Sequence, residues 1–175
     1  HHLLMSGPPG VGKTMLAERL VTVLPPLSRE EALETHAIRS VTGQIGEVAD
    51  LDRTPPFVAP HHSATLAAIV GGGTGVALPG AISRAHRGVL FLDDAPEFEA
   101  SVLQTLRQPL ESGEVCIARA RQIVRYPARF QLVLASNPCP CGRSYGKGAD
   151  CSCKPMEIRT YVARLSGPLL DRVDL

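Results

Sequence analysis

The sequence predicts an α/β fold in which helices cover both faces of a parallel sheet. Residues 3–5 form a short apolar strand that leads into a glycine-rich loop, and an amphipathic helix follows this loop directly. Residues 89–92 are continuously apolar, as is typical of a strand buried on both faces. Strand and helix patterns then alternate along the chain without an internal repeat. This alternation favours a three-layer arrangement with the sheet in the middle.

The boundary signals place the individual elements in order. Apolar residues recur at helical spacing after the loop until Pro25 and Pro26 end the first helix. Ser28 and Glu31 form a capping box, which predicts a second helix over Arg29–Val41. The remaining predictions are a strand at Phe57–Val58, helices at 63–70, 80–86 and 100–110, a β-hairpin at 114–126 and a strand at 131–135. Glycines within residues 71–75 interrupt the helical pattern, which indicates an insertion within a helix.

Composition and charge exclude several classes of protein. The chain has 175 residues, of which 44% are hydrophobic and 20% charged, as expected for one globular domain with its own core. The net charge is only +1, so affinity for nucleic acid requires a local basic patch. No apolar stretch approaches the roughly 20 residues of a membrane-spanning helix, so no membrane partner is expected. The crowded cysteines do not resemble a secreted disulfide framework, and a cytoplasmic location is predicted.

The glycine-rich loop has the residues of a nucleotide-binding P-loop. Its glycines let backbone N–H groups turn towards a β-phosphate, and the helix that follows presents its positive end to the same anion. The lysine then reaches the β- and γ-phosphates of ATP, and the threonine hydroxyl ligates Mg²⁺. The alternative is a glycine-rich turn without a ligand. The loop consists of Gly7, Pro8, Pro9, Gly10, Val11, Gly12, Lys13 and Thr14.

Polar residues follow two of the predicted buried strands. Asp93 comes at the end of the 89–92 strand, where a magnesium shell needs a carboxylate, and Asp94 beside it would polarise the attacking water. Many such ATPases have Glu at the second position, so this carboxylate is one methylene shorter. Asn137 follows the 131–135 strand and would orient the attacking water or sense the γ-phosphate. The alternatives are a helix cap for the aspartates and a turn role for Asn137.

The predicted hairpin is basic near its tip. Arg119 and Arg121 would lie at the tip, with Arg125 and Arg129 close by in sequence. Such a cluster favours salt-dependent binding of DNA backbone phosphates, single-stranded or branched, with little sequence preference. A solvated basic hairpin or a contact surface between subunits remains the alternative.

Four cysteines form two closely spaced pairs. Cys139 and Cys141 precede a loop rich in Gly, Lys and Ser, and Cys151 and Cys153 follow it. These are enough ligands for a tetrahedral Zn²⁺ site, although the spacing within each pair is tighter than in most zinc sites. Free thiols, reduced or oxidised, are the alternative.

Several longer motifs resemble the magnesium-chelatase-like ComM (YifB) family of bacteria. Beyond the loop, they lie at residues 60–63, 71–73, 87–93, 107–111, 137–142 and 166–172, and the resemblance covers essentially the whole chain. It implies the P-loop NTPase core of a hexameric AAA+ ATPase, with a helix-2 insert at 71–79 and a pre-sensor-1 β-hairpin at 114–126. It also implies that Asn137 is sensor 1 and that Arg172 is an arginine finger acting on the ATP of a neighbouring subunit.

The resemblance also implies a domain organisation and a function. Residues 1–175 match the AAA+ core alone, without the protease-like domain expected before it or the helical lid expected after it. The family relationship implies a DNA helicase that promotes branch migration during natural transformation. A chelatase-type or chaperone-like remodeller acting on a protein partner is the alternative, and a nucleotide switch without turnover is a third possibility.

Overall fold

The computed structural model describes residues 1–43, 51–73, 77–118, 123–146, 150–165 and 167–175. Its strands in chain order are β1 (Leu3–Ser6), β2 (Phe57–Val58), β3 (Gly71–Gly72), β4 (Leu78–Pro79), β5 (Val89–Leu92), β6 (Glu114–Ala118), β7 (Ile123–Pro127) and β8 (Gln131–Ser136). Its helices are α1 (Lys13–Val23), α2 (Arg29–Val41), α3 (Leu66–Val70), α4 (Ala81–Arg84), α5 (Ala100–Thr105), α6 (Arg107–Ser112), α7 (Pro155–Ala163) and α8 (Gly167–Leu170).

The main sheet of the described chain has the strand order β1-β8-β5-β2, and all of its pairings are parallel. Met5 pairs with Ala135, and Leu92 pairs with Leu134. The carboxyl ends of β1, β5 and β8 therefore lie at the same edge of the sheet, here called the carboxyl edge. The segments after these strands are the predicted phosphate loop, the aspartate pair and Asn137.

Both faces of this sheet are covered, so the predicted three-layer α/β fold is confirmed. Leu90, Leu92, Leu132 and Leu134 belong to the larger core cluster on one face, which includes residues of α3, α4 and α5. Alternate strand residues, such as Val133, pack on the other face with Ala17 of α1. The strict alternation follows from the period of two along a strand.

Several element boundaries differ from the sequence predictions. The helix predicted from residue 63 begins at Leu66, because the Thr65 side chain caps it by accepting a hydrogen bond from Ala68 N at 3.2 Å. The helix predicted over 100–110 is two helices, α5 and α6. Pro109 lacks the N–H that would bond to Thr105, and its ring disfavours a continuous helix there. Helices α7 and α8 were not predicted.

The two smaller ladders fall where the insertion and the hairpin were predicted. Strands β3 and β4 pair antiparallel between α3 and α4, so the helical pattern is interrupted as expected. Strands β6 and β7 form an antiparallel hairpin in which Ala118 pairs with Ile123. Arg119 and Arg121, the predicted DNA contacts, lie outside the described residues. Among the helices that the structure describes, none combines the length and apolar character needed to cross a membrane.

Candidate nucleotide-binding site

The phosphate loop connects β1 to α1 at the carboxyl edge. Gly10 (φ 80°) and Gly12 (φ 89°) adopt left-handed backbone conformations that side chains disfavour. Gly12 is the N-cap of α1, and the first turn of this helix contains no acidic residue. The positive end of the α1 dipole therefore faces the loop without a carboxylate of its own first turn to neutralise it, which suits an anionic ligand.

The Lys13 ammonium group donates hydrogen bonds to three acceptors. Its Nζ donates to Gly7 O at 2.8 Å, to Pro8 O at 3.0 Å and to Asn137 Oδ1 at 3.0 Å. The last of these bonds joins residues that are 124 positions apart in the sequence. The sheet therefore brings the loop lysine and the predicted sensor into direct contact.

Asn137 continues this chain of hydrogen bonds to the aspartate pair. Its Nδ2 donates to Asp94 Oδ1 at 2.7 Å. Asp94 has a φ of 48° and ψ of 47°, a left-handed conformation that Asp and Asn tolerate better than most residues with a side chain. The turn immediately after β5 thus places the Asp94 carboxylate against the amide of Asn137, and Lys13, Asn137 and Asp94 form one connected network.

Asp93 contacts the start of α1. Thr14 Oγ1 donates to Asp93 Oδ2 at 2.7 Å, and Asp94 N donates to Asp93 Oδ1 at 3.0 Å. A threonine hydroxyl and a carboxylate at this separation are hard oxygen ligands of the type that Mg²⁺ prefers. The two residues predicted to share the metal are therefore adjacent, with Lys13 one position before Thr14.

The hydrogen-bonded side chains at the carboxyl edge line a cavity of about 410 Å³. They are Lys13, Thr14, Asp93, Asp94 and Asn137, and Pro9, Gly10, Gly12 and Met15 complete the lining. A larger cavity of about 660 Å³ opens at the amino ends of β5 and β8, beside Gly88 and Gln131. The smaller cavity combines a helix N-terminus, a lysine, two carboxylates and an amide, which are the groups predicted to bind a nucleotide.

The comparisons with known proteins agree with this geometry. A family model described as magnesium chelatase, subunit ChlI, matches residues 1–175. The chain belongs to the magnesium chelatase ChlI family. It is 53% identical over 175 residues to the competence protein ComM of Haemophilus influenzae and 59% identical over the same length to an uncharacterized protein of Mycobacterium tuberculosis. It is 27% identical over 149 residues to the magnesium-chelatase 38 kDa subunit of Cereibacter sphaeroides, covering 78% of this chain and 45% of that protein.

The chain spans only part of these relatives. All of its residues align with the ComM and mycobacterial proteins, but they cover 34% of each. The resemblance to the ComM-like group of the family is confirmed, and with it the AAA+ core. This family assignment implies the use of ATP and Mg²⁺, in agreement with the groups gathered at the carboxyl edge.

Arg172, the predicted arginine finger, lies at the opposite end of the sheet from the phosphate loop. Residues just after it bond to the start of β1, with Asp174 N donating to His2 O at 3.1 Å and Leu175 O accepting from Leu4 N at 2.8 Å. The Arg172 guanidinium forms an ion pair with Glu111, and 27% of the Arg172 side chain is exposed. Within one chain, Arg172 therefore lies away from Lys13.

Tyr161 is a residue near the site that sequence analysis missed. It lies on α7, is 4% exposed and has hydrogen-bonding contacts with the Asn137 backbone and the Ser136 side chain. Burial raises the pKa of Tyr161 to about 12, and the negative charges of Glu97 and Asp94 act in the same direction. Pro155 and Glu157 were the available signals, since both are typical of a first helical turn, but a helix there does not by itself predict contact with β8.

The four cysteines predicted to bind metal come together in the structure. The Sγ atom of Cys139 lies 3.3 Å from that of Cys141, and each of these lies 3.7 Å from the Sγ of Cys151. With Cys153 included, all four sulfur atoms lie within 4.8 Å of one another. A tetrahedral zinc site with Zn–S bonds of about 2.3 Å requires sulfur atoms about 3.8 Å apart. The cluster has nearly this spacing, and its cysteines are free.

The thiols of this cluster have divergent proton affinities. A backbone hydrogen bond from Arg143 and a hydrogen bond with the Cys139 thiol lower the pKa of Cys141 to about 6. A backbone hydrogen bond at Cys141 lowers the pKa of Cys153, but desolvation and the neighbouring thiols outweigh it and raise that pKa to about 12. One thiolate therefore forms readily, and further thiolates require a positive charge beside them.

Proposed function

We propose that this chain binds ATP at the carboxyl edge and hydrolyses it as one subunit of a ring. The observation that carries the proposal is the hydrogen-bonded network of Lys13, Asn137 and Asp94 beside a free helix N-terminus. Each of its members has a role in phosphoryl transfer. The alternative roles as turn or cap residues do not require the three side chains to meet.

The residues divide the chemistry among themselves. The backbone of the phosphate loop and the Lys13 ammonium group bind the β- and γ-phosphates. Thr14 and Asp93 would hold Mg²⁺, which neutralises charge on the phosphate oxygens when it is bound. Asp94 accepts a proton from, or polarises, the attacking water, and the Asn137 amide orients that water against the γ-phosphate.

Arg172 completes the site of a neighbouring subunit in this proposal. In its own chain the Arg172 guanidinium pairs with Glu111 at the far end of the sheet. In a ring it would exchange this partner for the ATP of a neighbour and stabilise charge that develops on the transferred group. Arg172→Ala should retain ATP binding and reduce hydrolysis by about 10³-fold or more. Normal turnover in this variant would rule out the assignment.

A mixing experiment tests whether Arg172 acts between subunits. Arg172→Ala and Asp94→Asn should each be inactive when assembled alone. In mixed assemblies, some interfaces combine an intact Asp94 with an intact Arg172, so hydrolysis should return. Assemblies that form but regain no activity would show that Arg172 does not act on a neighbouring site.

We further propose that the intact protein, which we place in the cytoplasm, couples hydrolysis to movement along single-stranded or branched DNA. Support comes from the name of its H. influenzae relative, a competence protein, and from the basic residues of the β6–β7 hairpin. A hexameric ring would place such hairpins around a central channel. The described part of the hairpin already exposes Arg125, whose side chain is 71% accessible.

DNA-stimulated ATP hydrolysis by the intact protein tests this proposal. The wild type should be stimulated, whereas replacement of both Arg119 and Arg121 by Ala should abolish stimulation. Loss of two contacts should reduce the slope of log affinity against log salt by about 1.4, at roughly 0.7 for each single-strand phosphate. Arg107→Ala, on the exposed side of α6, is the matched control and should keep both properties. Absence of DNA binding with ATP present would overturn the helicase proposal.

A remodeller acting on a protein partner is the second candidate. The observation that favours it is the 27% identity to a magnesium-chelatase subunit. In that case hydrolysis should respond to a protein partner and not to DNA. Zero phosphate release by an assembled ring that still binds ATP would instead favour a nucleotide switch.

We also propose that the four cysteines of the cluster bind one zinc ion. Four sulfur atoms within 4.8 Å of one another fit a tetrahedral Cys₄ site, and one metal ion would relieve the repulsion among the thiolates. Stoichiometric zinc in freshly purified protein would support this site, and its absence would leave free thiols.

A further inference from the structure

The cysteine cluster lies directly against the nucleotide site. Cys139 is fully buried and follows Asn137 by two residues. Gly142 has a φ of 74°, and a Cβ atom placed on it would lie 2.6 Å from Cδ and Cγ of Pro9 in the phosphate loop. The turn from Cys139 to Gly142 is closed by a 2.9 Å hydrogen bond from Gly142 N to Cys139 O. This turn, here called the cysteine turn, therefore packs its backbone on the phosphate loop.

Apolar packing does little to hold this region in place. Among the described residues from 140 to 160, only Gly142 is buried. The same stretch includes both thiols of the second pair, Cys151 and Cys153, which lie just before α7. A segment with so little buried apolar surface needs another constraint to keep one conformation.

We propose that a zinc ion bound by the four cysteines clamps the cysteine turn onto Pro9 and so positions the phosphate loop for ATP. This inference rests on the ATP and zinc sites proposed above and adds a functional coupling between them. The metal would join the segment after Asn137 to the start of α7, whose Tyr161 contacts the Asn137 backbone. Cys139 and Gly142 are positioning residues in this scheme, because they act on ATP through Pro9 and Asn137.

The first experiment removes metal ligands of the second cysteine pair. The protein as purified should contain one zinc per chain by elemental analysis, and Co²⁺ substitution should give the visible absorption of a tetrahedral thiolate site. Cys151→Ser and Cys153→Ser should lose the metal and bind a fluorescent ATP analogue about tenfold more weakly, equivalent to about one hydrogen bond. Cys116→Ser is the matched control, because Cys116 lies in β6 outside the cluster, and it should keep both metal and affinity.

A second variant separates the coupling from the metal. Gly142→Ala keeps all four thiols but places a methyl group against Pro9. It should retain stoichiometric zinc and show weakened ATP binding, and its circular dichroism should match that of the wild type. This combination would not result from loss of the metal or from unfolding.

Each alternative outcome identifies the part that fails. Wild-type protein with no zinc, or with stoichiometric iron in its place, would overturn the zinc site. Unchanged ATP affinity in metal-free Cys151→Ser or in Gly142→Ala would overturn the coupling while leaving the zinc site intact. Wild-type protein that holds zinc but binds no ATP would contradict the proposed function itself and the coupling built on it.

Discussion

Two hydrogen-bonded polar networks lie at opposite ends of the main sheet and have different surroundings. At the carboxyl edge, Lys13, Asn137 and Asp94 bond to one another around a cavity. At the opposite end of β5, His86 is 2% exposed and bonds to Glu34 Oε2 at 3.0 Å through Nε2. Its Nδ1 accepts a hydrogen bond from Arg129 N at 3.1 Å, so the neutral ring carries its proton on Nε2.

The second network fastens α2 to the loop before β5. Arg87 forms ion pairs with Glu31 at 3.2 Å and with Glu34 at 2.9 Å, and its φ of 63° is unusual for a residue with a long side chain. These groups bond to the protein's own backbone and side chains, and His86 is closed to solvent. Glu31 and Arg87 line the larger cavity, so a cavity alone does not distinguish the two networks. The first network lies beside a glycine-rich loop and a helix N-terminus, whereas the second is built around a buried histidine. Changes at the carboxyl edge should alter chemistry, and changes at His86 should alter stability.

The largest effect is expected from Asp94→Asn. Asn tolerates the left-handed conformation at this position and can still accept the hydrogen bond from Asn137, so the geometry should survive. Only the charge that polarises water is lost, and the rate of ATP hydrolysis should fall by about 10³-fold with ATP binding retained. Steady-state phosphate release and equilibrium binding measure the two quantities. Hydrolysis at the wild-type rate would remove Asp94 from the mechanism.

Lys13→Ala should mainly weaken the binding of ATP. The variant removes the ammonium group for the β- and γ-phosphates and the three bonds that Nζ donates, so ATP affinity should fall by roughly 100-fold. The melting temperature without nucleotide should change little, because the side chain is only partly buried. Isothermal titration with ATP and Mg²⁺ is the measurement, and Arg107→Ala is the control. Tight ATP binding by the Lys13 variant would contradict the site.

The contrast between the two networks also separates what sequence could predict from what it could not. The phosphate loop, the 89–92 strand and the Ser28 capping box depend on neighbours within a few residues, and the corresponding elements were predicted correctly. The contact of Lys13 with Asn137 depends on the order β1-β8-β5, which brings strands far apart in sequence together. Sequence patterns predict that the phosphate loop and Asn137 each follow a strand. Their contact depends on the parallel pairing of β1 with β8, which these patterns do not predict.

Other features were missed because their signals are tertiary. His86 carries no local pattern, and its two partners lie 52 and 43 residues away. The packing of Gly142 on Pro9 is equally remote in sequence. The split of the 100–110 helix, by contrast, has a local signal, because Pro109 lacks the N–H that a continuous helix needs.

His86→Ala should reduce stability without affecting nucleotide binding. It removes two buried hydrogen bonds and leaves a cavity beside α2, which should cost about 2–3 kcal/mol in the free energy of unfolding. Denaturant titration measures this cost, and the exposed His62→Ala should cost less than about 0.5 kcal/mol. ATP affinity measured well below the melting temperature should equal that of the wild type. A selective loss of ATP affinity would show that the two networks are coupled.

The smallest expected effect is a pH dependence that arises from the same histidine. Burial lowers the pKa of His86 from its ordinary value of 6.5, and the hydrogen bond and charge of Glu34 oppose this shift only in part. The unfolded chain therefore binds more protons than the folded chain below pH 6.5, so stability falls as pH falls towards the folded pKa.

Between pH 7 and pH 5.5 the wild type should lose stability through His86, whereas His86→Gln should lose less. His2, whose pKa is also lowered, is present in both proteins and cancels in the comparison. The shift of Glu34 acts below its ordinary pKa of 4.5, outside this window. Denaturant titrations at matched ionic strength give the two curves. Parallel curves would mean that His86 titrates alike in the folded and unfolded chains, which its contacts with Glu34 and the Arg129 backbone argue against.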